Sequence, residues 1–323
     1  MTEVLTFDPV FFRTYSRTVD GGKESLTDVI ERVMLGFEFG PRKVPEEFLQ
    51  AIREEFEAMR MLPAGRMLWV AGTPWAASPE NYPGVYNCES TFLDSPGKFG
   101  LSMDFAMQGV GTGLVLEDWC VAKLPKVSTK IEVEVVGEFG AEESRSFTFV
   151  EWSPTDVVIH VGDSRKGWVV AYQQLIDLAF AIHEPRKVVV DVSAVRKRGE
   201  RLKGFGGVAN PTGLRHCFER VGKILTKAHG RQLTPTECCL LIDEGAKAVV
   251  AGNIRRSAGI RQFSSENAEA ATIKDNLWTQ TEDGWRVDPE CDAFRMANHT
   301  RVFHDRPKVN EVIYLCGKAV HVW

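Results

Sequence analysis

The chain has 323 residues, of which 44% are hydrophobic and 26% are charged, with a formal net charge of −5 and a pI of about 5.9. This composition predicts a soluble globular protein rather than a disordered one, with room for one large domain or two ordinary ones. The mildly acidic charge disfavours wrapping of duplex nucleic acid. No stretch approaches the roughly 18 apolar residues of a membrane span, and the first residues lack a signal-peptide pattern, so we expect a cytoplasmic location.

The cysteines form no CxxC pair and no zinc-like spacing, so we predict no metal site from them. An odd number of cysteines without a secretory pattern predicts mostly reduced thiols. The seven cysteines are Cys88, Cys120, Cys217, Cys238, Cys239, Cys291 and Cys316.

Residues 1–61 predict helices. Ser25 and Asp28 form a weak version of a capping box before the segment LTDVIERVMLGF, which predicts a helix start. After Val44, apolar residues recur at the spacing of one helix face until Pro63 ends the pattern. These apolar positions are Phe48, Leu49, Ile52, Phe56 and Met59.

The segment LPAGRMLWVAGT (62–73) predicts a glycine–arginine turn followed by a short apolar strand. A loop rich in proline and asparagine comes next, and a second apolar strand is predicted to begin at Cys88 in VYNCESTFLD (85–94). The stretch from Lys98 to Gly109 predicts a helix, which runs into the glycine-rich segment MQGVGTGL (107–114).

The middle of the chain predicts a parallel α/β sheet, because two buried strands, DVVIHV (156–161) and KVVVDVS (187–193), enclose a helical segment. Before them, Lys130 to Val136 alternates apolar and charged residues, and we expect it to form a hairpin with Ser146 to Val150. Two further helices are predicted near 214–228 and 236–250. Past Ser264 the pattern is irregular and polar.

Cys88 is the first candidate for chemistry, because a thiol at the mouth of a strand and beside flexible loops can meet a substrate. A pair of cysteines that closes to a disulfide supplies two electrons. The alternative is a buried, inert cysteine, the commonest state of this residue. A third interpretation, a nucleophilic cysteine in another kind of α/β enzyme, would need a lowered thiol pKa and a nearby His or Lys.

The segment VGDSRKGW (161–168) takes the chain from a strand into a helix. Helix starts bind anions through free backbone N–H groups, and Lys166 adds positive charge there. Asp163 at the strand end can accept hydrogen bonds from ribose hydroxyls. Plain N-capping by Asp163 or Ser164 explains the same residues without a ligand.

A basic, glycine-rich loop follows the second buried strand, from Asp191 to Leu214. Arg196 and Lys203 suit contact with a triphosphate, and Gly206 with Gly207 allows close approach of the backbone to a nucleotide. An ordinary solvated basic loop is the alternative.

Two later segments give weaker signals. VVAGNIRRSAGI (249–260) predicts a helix end that leads into a strand, and we favour a structural role for its arginines. His299 and His304 are five residues apart and do not share a helix face, so we assign them no metal and no catalytic role.

Several strings, in order along the chain, resemble adenosylcobalamin-dependent ribonucleotide reductases of the class II, monomeric type. The strongest are LPAGRMLWVAGT, VAGNIRRSAGI and RMANHTRVFHDRP, and the similarity runs from about Phe11 to about Val312. It implies an α/β fold that is the N-terminal part of a ten-stranded reductase barrel with an inserted α+β effector-binding region. The implied regions are 1–61 (leading helices), 62–120 (start of the barrel with the Cys88 strand), 121–181 (effector-binding insertion), 182–313 (continuation of the first half-barrel) and 314–323 (a divergent tail).

The resemblance implies a ribonucleoside-triphosphate reductase, which reduces ribonucleotides to deoxyribonucleotides by thiol-dependent radical chemistry. Cys88 would be one of the two reducing thiols, since such a cysteine follows a polar residue on the first barrel strand of this family. The basic loop would relay the identity of a deoxynucleotide effector to the substrate pocket, a coupling of about 1–3 kcal/mol. The residues expected to contact nucleotide are Asp163, Ser164, Lys166, Arg196, Lys203, Gly206 and Gly207. The family commonly has Arg-Pro where this chain has Arg196-Lys197, which puts the loop shape in question.

In this family the radical cysteine lies in a later Asn-Pro-Cys-Gly-Glu loop, which this sequence lacks. Cys316 in YLCGKAVHVW does not match that loop, so we expect no turnover by this chain alone. Most of the adenosylcobalamin site would also lie outside it. The implied partners are a ribonucleotide substrate, a dNTP effector, a thioredoxin-like reductant and a second polypeptide with the radical cysteine, but no nucleic acid and no membrane. The alternative is a dNTP-binding fragment without catalytic activity.

Overall fold

The computed structural model describes residues 9–38, 44–182, 186–199, 211–249, 258–275 and 277–313. The helices are α1 (Pro9–Thr14), α2 (Leu26–Glu38), α3 (Glu46–Glu57), α4 (Gly65–Val70), α5 (Pro74–Ala77), α6 (Gly97–Met107), α7 (Asp118–Val121), α8 (Arg165–Phe180), α9 (Thr212–Lys227), α10 (Pro235–Val249) and α11 (Ala268–Thr272), with 3-10 helices at Tyr82–Val85 and Asp292–Met296. The strands are β1 (Thr18–Val19), β2 (Gly22–Lys23), β3 (Cys88–Phe92), β4 (Gly111–Val115), β5 (Ile131–Val136), β6 (Phe149–Trp152), β7 (Asp156–His160), β8 (Arg186–Asp191), β9 (Gly259–Ser264), β10 (Trp278–Thr281), β11 (Gly284–Val287) and β12 (Asn298–Val302). No helix in these ranges is long and apolar enough to cross a membrane.

The chain divides into two compact units, and the first comprises Met1–Glu89 with Gln108–Val110. The helices before residue 61 were predicted, and the capping box is present: the Ser25 amide donates to the Asp28 carboxylate at 2.8 Å, and the Asp28 amide donates to the Ser25 hydroxyl at 3.2 Å. Helices α2 and α3 bury one face each in a small apolar core that includes Val29, Val33 and Phe56. The short β1–β2 hairpin was not predicted.

The predicted strand in LPAGRMLWVAGT is wrong, because residues 65–70 form α4. Two arginines that are distant in sequence satisfy carbonyls at the end of this short helix. Arg32 donates to the Leu68 and Ala71 carbonyls at 2.8 Å each, and Arg17 donates to the Trp69 carbonyl at 2.9 Å. Cationic donors at a helix C-terminus stabilise carbonyls that the helix itself leaves unpaired. The six-residue pattern alone does not reveal those donors.

The second unit comprises Ser90–Met107 with Gly111–Trp323 and contains two four-stranded sheets. One has the strand order β12-β9-β4-β3, in which β9 runs parallel to both β12 and β4. The other has the order β5-β8-β7-β6, in which β8 runs parallel to both β5 and β7. Helix α8 joins β7 to β8, so the prediction of a parallel α/β sheet is confirmed.

The predicted hairpin between residues 130–136 and 146–150 is wrong. Strand β5 pairs with β8, whereas β6 pairs antiparallel with β7, which follows it directly. Strands β7 and β8, which bury about half of their residues, occupy the centre of the sheet, and β5 lies at its edge under helix α9. A side chain at Gly222 of α9 would lie 2.5 Å from Val133 of β5, so close helix packing fixes this arrangement.

Past Ser264 the described residues are more regular than the sequence suggests. They contain α11, the β10–β11 hairpin and the sheet strand β12. These elements are short and carry no clean apolar alternation, which is why the pattern does not reveal them. The predicted step from helix to strand near 249–260 agrees with α10 and β9, although residues 250–257, with Arg255 and Arg256, lie outside the described ranges.

A buried ion pair joins three elements of the second unit. Arg261 of β9 and Asp243 of α10 have no exposed side-chain surface, and the Arg261 Nε and Nη2 atoms lie 3.0 Å and 2.8 Å from Asp243 Oδ1. Arg261 Nη1 also donates to the Thr112 carbonyl of β4 at 2.7 Å. A buried charge that loses its partner is strongly destabilising, so each member of this group depends on the others.

We expect Arg261→Met to lower the free energy of unfolding by about 3–5 kcal/mol, because it leaves the Asp243 carboxylate buried and uncompensated. Urea unfolding followed by circular dichroism measures the change. The matched control is Arg286→Met, which removes the exposed pair with Asp283 and should change stability little. Equal effects of the two substitutions would contradict the structural importance of the buried pair.

Candidate functional site

Cys88 is the first residue of β3 and its side chain is exposed. The other cysteines in the described part of the chain are buried or half-buried. Burial raises the pKa of the Cys217, Cys238 and Cys239 thiols well above the ordinary value. A thiol must be accessible and able to ionise to exchange with a disulfide, so Cys88 is the best placed of these cysteines for redox chemistry.

The loop before Cys88 is held against the glycine-rich segment by a buried arginine. Arg66 of α4 is 4% exposed, and its Nη1 atom donates to the Gly84 carbonyl at 2.8 Å and to the Gln108 carbonyl at 3.2 Å. Its Nη2 atom donates to the Gly109 carbonyl. The Gln108 side chain accepts a hydrogen bond from the Gly84 amide at 2.9 Å. Arg66 and Gln108 therefore join three parts of the chain: helix α4, the loop that ends before Cys88, and the start of the glycine-rich segment.

The predicted nucleotide contacts at the start of α8 are already engaged within the protein. The Ser164 hydroxyl accepts a hydrogen bond from the Gly167 amide at 2.9 Å, which is the N-capping role considered from the sequence. The buried Asp163 carboxylate accepts from Arg196 Nε at 2.8 Å and 2.9 Å and from the Ser144 hydroxyl at 3.0 Å. Lys166 is exposed in the first helical turn. The structure thus places Asp163, Ser164, Lys166 and Arg196 side by side.

The remaining predicted contacts, Lys203, Gly206 and Gly207, lie outside the described residues, as does Cys316.

Arg145 lies beside this group and was missed by the sequence reasoning. Its carbonyl accepts from the Asp163 amide at 2.6 Å, and its guanidinium lies 4.8 Å from the Phe149 ring centre. Its Nε and Nη2 atoms are buried and have no hydrogen-bond partner among the described residues. Buried donors of this kind suit an anionic oxygen. Nothing in the polar string EESRSF distinguishes Arg145 from an ordinary surface residue.

A second cluster joins α10 to β12. Cys239 Sγ lies 3.3 Å from Asp243 Oδ2 and 3.6 Å from His299 Nε2. The Phe263 and Phe294 rings pack edge-on against the imidazole, and burial lowers the pKa of His299 to about 3. The sequence analysis compared His299 only with His304 and so missed this cluster. The i,i+4 spacing of Cys239 and Asp243 on a predicted helix was the available signal.

His304 pairs instead with Glu117. The Glu117 carboxylate accepts a hydrogen bond from the exposed imidazole, and this hydrogen bond raises the pKa of His304. The two histidines therefore differ in environment although only five residues separate them.

Comparison with known proteins gives three findings. A family model described as the insertion domain of B12-dependent ribonucleotide reductase matches residues 130–225. The chain is 29% identical to an adenosylcobalamin-dependent ribonucleoside-triphosphate reductase of Lactobacillus gasseri, with 81% of this chain and 42% of that protein covered. It is 30% identical to the enzyme of the same name from Lacticaseibacillus paracasei, with 81% and 41% covered.

A solved structure of a B12-dependent, class II ribonucleotide reductase has the same fold. It superposes with a TM-score of 0.72 and 23% identity, covering 90% of this chain and 45% of that chain. The predicted fold class, the first part of the reductase fold, is therefore confirmed. The resemblance stated from the sequence is also confirmed: the chain is similar to adenosylcobalamin-dependent ribonucleotide reductases over 81% of its length. It spans less than half the length of the curated relatives that it matches.

We expect iodoacetamide to alkylate Cys88 first in the folded protein. The buried thiols react only after local opening, so their modification should be slower by on the order of 100-fold or more. Peptide mapping by mass spectrometry at increasing reaction times measures the order, with a Cys316→Ser background to remove the thiol outside the described residues. Earlier labelling of Cys217 or Cys238 than of Cys88 would contradict the assigned exposure.

The two histidines should titrate far apart in an NMR pH titration. The His304 midpoint should lie above 6.5 and fall in Glu117→Gln, whereas His299 should stay neutral until the pH approaches about 3. Because the folded state raises the pKa of His304, the stabilisation from its pair is present below about pH 6.5 and is lost as the pH rises through the raised value. A common midpoint near 6.5 for both histidines would contradict these environments.

Proposed function

We propose that this chain is the N-terminal part of an adenosylcobalamin-dependent ribonucleoside-triphosphate reductase and that it does not turn over alone. The observation that carries the proposal is the exposed Cys88 thiol, which follows the loop that Arg66 and Gln108 join to the glycine-rich segment. The relatives named above have this activity over a chain more than twice as long. The proposal includes the regions expected from the sequence, among them the effector-binding insertion at 121–181.

Cys88 would act as one of two reducing thiols. Loss of a ribose 2′-hydroxyl as water, with hydrogen in its place, consumes two electrons and two protons, and two thiols release both as they close to a disulfide. The other described cysteines are buried or half-buried and carry pKa values raised by that burial. The second thiol and the radical cysteine would therefore come from a further polypeptide segment, and a thioredoxin-like protein would reduce the disulfide.

The start of α8 would hold the phosphates of a deoxynucleotide effector. Helix α8 directs its N-terminal dipole at this position, and Lys166 adds an exposed positive charge. Arg196 and Arg145 also lie there, and each is paired with a carboxylate, Asp163 and Glu142 respectively. The buried Nε and Nη2 atoms of Arg145 are the strongest support, because an anionic oxygen would satisfy both. Lys203, Gly206 and Gly207 would close over the nucleotide from the basic loop.

Adenosylcobalamin would supply the radical in the complete enzyme. Of the groups in the described residues, the Cys239–Asp243–His299 cluster has metal-ligand chemistry, but it does not fit a corrin ring. Cys239 and Asp243 are fully buried, and Phe263 and Phe294 pack on His299. These three residues would therefore not hold the cofactor.

We expect the chain to bind at least one dNTP and to form no deoxyribonucleotide from a ribonucleoside triphosphate, even with adenosylcobalamin and a dithiol. Calorimetric titration with each dNTP, beside a turnover assay, separates the outcomes. Binding without turnover also describes the alternative, a nucleotide-binding fragment with no reductase partner. Recovery of turnover on adding a polypeptide with the Asn-Pro-Cys-Gly-Glu loop distinguishes a split reductase from that fragment.

Arg145→Gln and Arg196→Gln should each weaken dNTP binding by about 10-fold or more. Each substitution removes either a charge-assisted hydrogen bond to the phosphates or a charged side chain that supports such a bond. Arg286→Gln, on the exposed β11 strand, is the matched control and should leave the affinity unchanged. Unchanged affinity in both test variants, or no dNTP binding by the unmodified chain, would contradict the proposed effector site.

A further inference from the structure

The Cys239–Asp243–His299 cluster combines one sulfur, one oxygen and one nitrogen ligand within a small space. The three ligand atoms lie within 4.8 Å of one another. Helix α10 supplies Cys239 and Asp243 one turn apart, and β12 brings His299 against them. We propose that this cluster is a binding site for a single divalent transition-metal ion of the zinc type.

The distances from the sulfur to the other two ligand atoms match those around such an ion. Zinc bonds of about 2.3 Å to sulfur and about 2.0 Å to nitrogen or oxygen, in a tetrahedral arrangement, place sulfur about 3.5 Å from each of the other two ligands. Cys239 Sγ lies 3.6 Å from His299 Nε2 and 3.3 Å from Asp243 Oδ2. Three protein ligands leave a fourth position for water. Two of the three spacings between ligand atoms are therefore already close to those around a bound ion.

In the metal-free cluster the Cys239 thiol can donate to the Asp243 carboxylate and accept from the His299 Nε2–H group, so each of the three ligand atoms has one hydrogen bond. A metal ion satisfies the sulfur, the carboxylate oxygen and the imidazole nitrogen at once. Binding replaces the thiol proton, which passes to solvent, and the resulting thiolate and the carboxylate together offset the two positive charges of the ion.

Two neighbouring cations limit the affinity but do not occupy the ligand atoms. Arg261 bonds to Asp243 through Oδ1, which leaves Oδ2 directed at Cys239. The Lys274 ammonium donates to the Ala297 carbonyl at 2.6 Å. The Asp243 carboxylate would thus bridge the guanidinium and the metal, as carboxylates that ligate metals commonly take a second hydrogen bond.

Cobalt(II) is the probe, because a thiolate ligand gives it a near-ultraviolet charge-transfer band and tetrahedral geometry gives it intense visible bands. We expect the full chain, stripped with a chelator, to bind about one cobalt ion with both signals, and zinc to displace it. Cys239→Ser should abolish the charge-transfer band. His299→Asn removes a direct ligand. It should therefore weaken cobalt binding by more than the roughly 10–100-fold that is typical when a hydrogen-bond partner of a metal ligand is removed.

Two matched variants control for folding and for adventitious ligands. Cys238→Ser alters the adjacent buried thiol, which lies outside the cluster, and His304→Asn alters the exposed histidine; both should keep the cobalt spectrum. If Cys239→Ser fails to fold, the half-buried His299→Asn and its control decide the question. Absence of the charge-transfer band in the unmodified chain, its survival in Cys239→Ser, or unchanged cobalt affinity in His299→Asn would overturn the proposal. Because the readout is spectroscopic, it is independent of nucleotide binding and turnover.

Discussion

Arg261 carries a full positive charge at a position with no exposed surface, and the second unit is organised around its neutralisation. Removing a guanidinium from water is costly unless every donor finds an acceptor in good geometry. Asp243 supplies the counter-charge from α10, and Thr112 supplies a carbonyl from β4. The central strand β9 is therefore fixed against its neighbouring strand and its covering helix by one side chain. Burial raises the pKa of Asp243, and the charge of Arg261 opposes that rise.

The consequences of this pair extend to its neighbours. With Oδ1 held by Arg261, the second oxygen of Asp243 points to Cys239, and the thiol in turn meets His299 on β12. The proposed metal cluster therefore depends on the orientation that the ion pair imposes. The first unit uses arginine in a similar way: Arg66 gathers the carbonyls of two loops near Cys88, and Arg32 completes the end of α4. In each case a forked cation satisfies backbone groups that secondary structure leaves unpaired.

The candidate site was predictable to the extent that its residues are neighbours in sequence. Ser164 precedes a helix and caps it, and Cys88 begins a strand after a polar loop, as their local context indicated. Arg145 and the Asp163–Arg196 pair were not predictable, because 33 residues separate the two members of that pair and no periodicity relates them. His299 was compared with the wrong partner for the same reason: its contacts come from α10, 60 residues earlier.

By itself, the sequence determined the helices with one apolar face, the two central strands of the parallel sheet, the capping box at Ser25 and the resemblance to the reductases. These features depend on residues within one or two turns of each other, or on strings that keep their order in relatives. Only the tertiary structure decided that residues 65–70 are helical, that β5 pairs with β8, and that Cys239, Asp243 and His299 meet. Each of these outcomes is set by donors, acceptors or packing surfaces that come from distant parts of the chain, and a local pattern carries no information about them.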